Sequence, residues 1–200
     1  MDLFLVPNNL LRTVFVSNNG VAHYRVRTTK EKSRQISRIQ RPAECEEDSI
    51  VAEVEWKSWR APTTIRCPLL GNIGERGFGM LAASFLYKCG TFSTSRYLIG
   101  DDGAEYRWKM IRGIGWVLMC CDTDEEIARY SHVLVEEGLF AGEKRTVLRV
   151  QPLCTIDIDL VVLSFVIMEK KRRDRDGDGS KLTPHDEDPQ GEGCADGGEA

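Results

Sequence analysis

The chain has 200 residues, 42% of them apolar and 8% aromatic, enough for one domain with a sizeable core or for a domain and a tail. The net charge of −4 is unevenly spread: residues 174–200 carry Arg175 and Lys181 against nine acids, which leaves the rest mildly basic. That excess is too small and too scattered for a nucleic-acid footprint, so nucleic acid is not expected as a partner.

The opening "MDLFLVPNNL" has an acidic second residue, four consecutive apolar residues and then Pro7, which is not the pattern of a secretory signal. Seven cysteines at scattered positions (45, 67, 89, 120, 121, 154, 194) form no C-x-x-C pair, and no N-x-S/T acceptor occurs. These features predict an intracellular, cytoplasmic protein with reduced thiols, with the nucleus as an alternative address.

From Arg12 to about Val150 the hydrophobic pattern has period two, the mark of half-buried strands. Ala22, Tyr24 and Val26 alternate with His23, Arg25 and Arg27. Ile50, Ala52, Val54 and Trp56 alternate with Val51, Glu53, Glu55 and Lys57, and Tyr106, Trp108 and Met110 alternate with Glu105, Arg107 and Lys109. Asn19-Gly20 and Asp102-Gly103 supply the positive φ that tight hairpins need. The two hairpins differ in register by one residue after the glycine, which favours shared turn chemistry over duplication.

Further strands are predicted at 63–67, 116–121, 126–132 and 145–151, while 69–95 breaks the alternation and reads as an insert holding a short helix or a long loop. About nine strands at short spacing predict an all-β barrel or sandwich.

At Thr155 the pattern changes. From Ile156 to Met168 only Asp157, Asp159 and Ser164 are polar, so a helix over 156–172 is predicted, capped by Thr155. Asp157 and Asp159 stand at its positive end and Lys170 to Arg173 at its negative end. Its apolar side chains occupy every side, so it must be buried on every side. The apolar run is shorter than the ~20 residues a bilayer requires. A mainly β fold follows, an antiparallel closed barrel around a buried hydrophobic C-terminal helix, with residues 1–173 as the domain and 174–200 as a disordered acidic tail.

The segments "TVFVSNNGVAHYRVRT", "IVAEVEWKSWRAPTTIR", "RYLIGDDGAEYRWKM", "IARYSH" and "IDLVVLSFVIMEKKRR" together resemble a family of fungal, mainly basidiomycete, proteins known only as a domain of unknown function. The resemblance covers about Leu10 to Arg173. It implies a fold like the tubby C-terminal domain and the phospholipid scramblases, and it brings no catalytic residues or cofactor.

Among individual motifs, "DRDGDGSKLTPH" places Asp174, Asp176 and Asp178 at calcium-loop positions 1, 3 and 5, but Lys181, Pro184 and His185 fill positions 8, 11 and 12. A solvated linker is the better reading, and no metal is expected. "GFGMLA" (77–82) lacks the strand and the βαβ setting of a dinucleotide loop. His23, His132 and His185 stand apart, and adjacent Cys120 and Cys121 should face opposite ways. "KKRR" reads as solvated cations at a helix end, with nuclear import or anionic lipid as alternatives.

Arg25, Arg27, Lys57, Arg60, Arg107 and Lys109 are the candidates for contact with an anion or lipid. The function expected is a non-catalytic module that binds a protein or an anionic lipid headgroup. The alternatives are a scramblase-like or phosphoinositide-binding membrane-associated protein, or an enzyme whose site lies in the 69–95 insert.

Overall fold

The computed structural model describes residues 1–31, 34–57, 62–70, 79–90, 94–152 and 154–176. Twelve strands occur in chain order: β1 (Asp2–Val6), β2 (Arg12–Val16), β3 (Ala22–Glu31), β4 (Arg34–Gln40), β5 (Ile50–Glu55), β6 (Thr64–Arg66), β7 (Met80–Leu81), β8 (Arg96–Ile99), β9 (Glu105–Ile111), β10 (Gly115–Cys120), β11 (Glu126–Leu134) and β12 (Lys144–Val150). Among the described residues the α-helices are α1 (Glu46–Ser49), α2 (Ala82–Phe85) and, after the last strand, α3 (Ile158–Arg175), and a 3-10 turn spans Pro68–Leu70.

All the strands form one antiparallel sheet in the order β7-β6-β5-β4-β3-β2-β1-β12-β11-β10-β9-β8. It is therefore two meanders, β1–β7 and β8–β12, zipped together where β1 meets β12 with Leu3 opposite Leu148. The predicted turns at Asn19-Gly20 and Asp102-Gly103 make the β2–β3 and β8–β9 hairpins, with both glycines at positive φ. Gly115 is required for a second reason, since at φ 122° a Cβ there would stand 2.2 Å from the carbonyl oxygen of Tyr130.

The helix is enclosed as expected. Leu160 to Ile167 are all buried, and Phe165 touches Phe15 of β2 (6.2 Å between ring centres), Trp108 of β9 (6.3 Å) and Tyr130 of β11 (4.5 Å). Strands from both meanders therefore meet on one side chain. Ser164, the polar residue inside the apolar run, accepts from the Trp108 indole N–H at 3.0 Å and donates to the Val161 carbonyl at 2.9 Å. Burial without unmet polarity follows.

Several expectations are corrected. The sheet is not a closed barrel: β7 and β8 are its two edges, and among the described residues no continuous ladder joins them. Instead α2 packs into the seam with Ala82 and Phe85 buried, and the next turn of chain makes one bridge, Tyr87 with Tyr97, at 3.0 and 2.9 Å. The described residues hold twelve strands rather than about nine, because β1, β4 and β7 lack the alternation. In β1, Leu3 and Leu5 face α3 while Phe4 packs outward on Phe140, Val135 and Val147, so the strand is apolar on both faces.

The helix starts at Ile158 with Asp157 as its cap, the Asp157 carboxylate accepting the Asp159 N–H at 2.8 Å, in place of a Thr155 cap. It runs on to Arg175, past the expected end at 172. Met110 and Ala22 are exposed, not inward, because each lies at the end of its strand, at the rim, while Val51 is buried. Most of the predicted tail, including Asp178, Lys181 and His185, lies outside the described residues.

Candidate functional site

The antiparallel register decides which cations share a face. On the outside of β2–β6, direct cross-strand partners place Arg12 opposite Arg27, Arg27 opposite Arg38, Arg38 opposite Glu53, and Glu53 opposite Arg66. Arg25 lies two residues from Arg27 on the same face of β3. Strands lie about 4.8 Å apart, so this row spans about 19 Å. Glu53 accepts from Arg38 Nε at 2.7 Å and from Arg66 Nη1 at 3.5 Å. Three arginines therefore stand in line on adjacent strands, close enough for side chains on one face to interact.

The six predicted contact residues do not form one patch. Arg25 and Arg27 join the row, whereas Arg107 and Lys109 are on β9, with five strands between β3 and β9. Arg107 is held by a hydrogen bond to Tyr97, which raises its pKa, and lies 3.7 Å from Asp124. Lys57 is exposed just beyond β5, and Arg60 lies outside the described residues. Arg38 and Arg66 were missed because residue spacing within a strand says nothing about which strands adjoin, whereas Arg12 lies on the strand that the Asn19-Gly20 turn sets beside Arg27.

The two ends of α3 form two further polar sites. At the N-terminal end, buried Asp159 accepts from Tyr24 Oη at 2.8 Å and from Arg41 Nη1 at 2.8 Å. Burial, the largest influence, raises the pKa of Asp159 despite these donors, and burial followed by the Asp159 bond raises that of Tyr24. An open hollow of about 540 Å³ adjoins the pair, lined by residues that include Arg25, Gln40, Glu44 and Cys45.

At the C-terminal end, the reading of "KKRR" as solvated cations is corrected. Lys170 and Arg173 are buried. Lys170 bonds Asp174 at 2.8 Å and lies 5.0 Å over the Trp56 ring. Fully buried Glu169 accepts from Arg172 Nε and Nη2, both at 2.7 Å, from Arg173 Nε at 2.9 Å and from Tyr130 Oη at 3.3 Å. Arg173 also donates to the Asn8 carbonyl at 2.9 Å and to its side-chain oxygen at 2.7 Å. The helix end is thereby tied to the segment ahead of β2.

A family model, "Family of unknown function (DUF6593)", matches residues 8–174. The chain belongs to this family. The match begins at Asn8 and ends one residue beyond Arg173, the two residues that the C-terminal ion network joins. No curated protein and no solved structure matches the chain.

Other sequence motifs have ordinary placements. Asp174 is engaged by Lys170, and Asp176 by Arg172 at 2.9 Å and Arg175 at 3.3 Å. Gly79 to Ala82 of "GFGMLA" lead into β7 and α2, and the residues before them lie outside the described set. Cys120 is buried inside and Cys121 is half-buried on the other face, against Glu105. Among the described residues, no group of three or more His, Cys, Asp or Glu could hold a metal, and no helix is long and apolar enough to cross a membrane.

Proposed function

We propose that this domain is a non-catalytic module that binds an anionic lipid surface through the arginine row of β2–β6. The observation carrying this reading is the register that aligns Arg12, Arg27, Arg38 and Arg66 on one outward face, with Arg25 beside them. Guanidinium groups held in a row by a sheet match a layer of phosphate headgroups, whose oxygens their forked donors can engage. An enclosed helix inside an antiparallel sheet also suits the tubby-like, fungal kinship that the sequence suggests.

Side-chain chemistry near the 69–95 insert favours this reading over an enzyme. Burial and the Glu105 carboxylate push the Cys121 thiol up to about 11, and the Glu105 bond pushes the Tyr87 phenol up to about 12. Both groups hold their protons at neutral pH, the opposite of what an activated nucleophile requires. A calcium-regulated, scramblase-like role is less supported, because Asp174 and Asp176 already serve as partners for cations of α3.

Sedimentation with phosphatidylcholine vesicles, with and without phosphatidylserine, tests the proposal. Association is expected only with the anionic vesicles and is expected to weaken with salt. At about 1 kcal/mol per basic residue near an anionic surface, R12Q/R27Q should weaken binding by more than tenfold. Equal sedimentation with neutral vesicles, or binding indifferent to the double variant, overturns it.

A further inference from the structure

The last turns of α3 and the start of β8 enclose a small cleft that the arginine row does not involve. Its volume is about 130 Å³, and Arg96, Lys171, Arg172, Arg175, Thr94 and Trp116 are in its wall, with Leu86 and Met168 as apolar lining. We propose that this cleft is a binding site for a phosphate-class oxyanion, either a free ion or the phosphate of a monoester headgroup.

Charge is the first argument. Arg172 is neutralised by Glu169 and Asp176, and Arg175 by Asp176, whereas among the described residues no carboxylate pairs with Lys171 or Arg96. Desolvation and then the charge of Arg96 lower the pKa of Lys171, and desolvation and then Arg175 lower that of Arg96. The helix dipole accounts for cations on α3 itself. It does not account for Arg96, which arrives from a strand.

The second argument is independent of charge. Trp116 is 6% exposed, and its indole N–H makes no hydrogen bond with any described residue. Buried donors of this kind almost always have a partner, and the buried indoles of Trp108 and Trp56 in the same core donate to Ser164 and Ser37. Trp116 lines the cleft, so an oxyanion held there stands beside an indole whose N–H lacks a partner among the described residues.

Shape is the third. At about 130 Å³ the cleft is small, which suits a compact ion. Cationic side chains reach it from a helix and a strand, and Trp116 stands in its wall. A tetrahedral ion presents acceptors in all those directions, while a carboxylate presents two in one plane, and arginine forks match phosphate oxygens.

The test follows indole N–H resonances of the full chain by nitrogen–proton correlation spectroscopy, with W116F assigning the signal. Sodium phosphate, titrated against sodium chloride at equal ionic strength, should move the Trp116 signal saturably while that of Trp108 stays fixed. K171Q and R96Q should each weaken the response at least tenfold. Phosphatidylcholine vesicles containing phosphatidic acid form the second arm. Sedimentation lost in K171Q but retained in K171R identifies a headgroup, and a phosphate response without K171Q-sensitive sedimentation identifies the free ion. A Trp116 signal indifferent to both probes, or a response surviving both substitutions, overturns the site. Neither result depends on Arg12 and Arg27, so its failure is separable from that of the lipid-surface reading.

Discussion

The two ends of α3 solve opposite electrostatic problems. At the N-terminal end a single buried carboxylate, Asp159, meets a phenol and a half-exposed guanidinium, and an open hollow lies alongside. At the C-terminal end Glu169 is fully buried and gathers two arginines and a tyrosine, while further cations crowd the margin. Both arrangements agree with the helix dipole. The difference is that the first can relax into water, whereas the second is locked between α3, β11 and the segment at Asn8.

The largest effect expected is therefore at Glu169. Removing it as E169A leaves Arg173 buried without its carboxylate, a change that costs about 3–5 kcal/mol in comparable buried pairs. D159A should cost less, about 1–3 kcal/mol, because Arg41, 53% exposed, can turn to solvent and only Tyr24 loses its acceptor. Urea unfolding of both variants measures the gap. Equal losses would mean that the N-terminal end is as rigidly held as the C-terminal one.

A smaller, pH-dependent effect separates two carboxylates near the helix start. Burial raises the pKa of Asp159, so the folded state holds that proton more tightly than the unfolded state, and stability falls as pH rises from the ordinary aspartate value through the folded one. At Asp102 burial acts upward as well but is outweighed by bonds from Tyr106, Thr155 and the Ala104 N–H, so its pKa is lowered. Its contribution is present above the ordinary value and is lost as pH falls through the folded one. Across the ordinary aspartate range near ~4, D159N should remove a falling limb and D102N a rising one. Unfolding curves from pH 3 to pH 6 check both signs, and parallel curves would contradict the contrast.

How much of this was legible in the sequence depends on what each residue reports. The all-round apolar run from Leu160 to Met168 announced an enclosed helix, because no one-sided surface could cover it. Strand β4 was silent because Ser37 takes an inward place, where it meets the Thr28 hydroxyl and the Trp56 indole N–H at 2.6 Å. A satisfied polar core residue looks like a surface one. The edges of the sheet were hidden as well, since periodicity shows that strands are half-buried but not whether the last one meets the first. The candidate cations suffered the same limit. Arg25 and Arg27 were visible as outward residues, but their neighbour Arg38 comes from β4, the strand that periodicity did not reveal. Lys171 and Arg96, 75 positions apart in sequence, could not have been paired without the fold.

The smallest effect concerns Lys171 and sharpens the contrast at its basic end. Desolvation and Arg96 depress its pKa, so the charged form is disfavoured in the folded chain. On raising the pH, Lys171 loses its proton first in the folded state, and stability should rise until the ordinary lysine value near ~10.4 is reached and the unfolded chain titrates too. K171Q lacks that rise. At neutral pH and low salt it should be more stable than the parent by up to ~1 kcal/mol, because it removes a repulsion without opening a cavity, and added salt should shrink the difference. Thermal midpoints in phosphate-free buffer at two salt concentrations measure it. A lower midpoint in K171Q would mean that Lys171 has a stabilising partner at this end, and the excess of positive charge assigned to it would be gone.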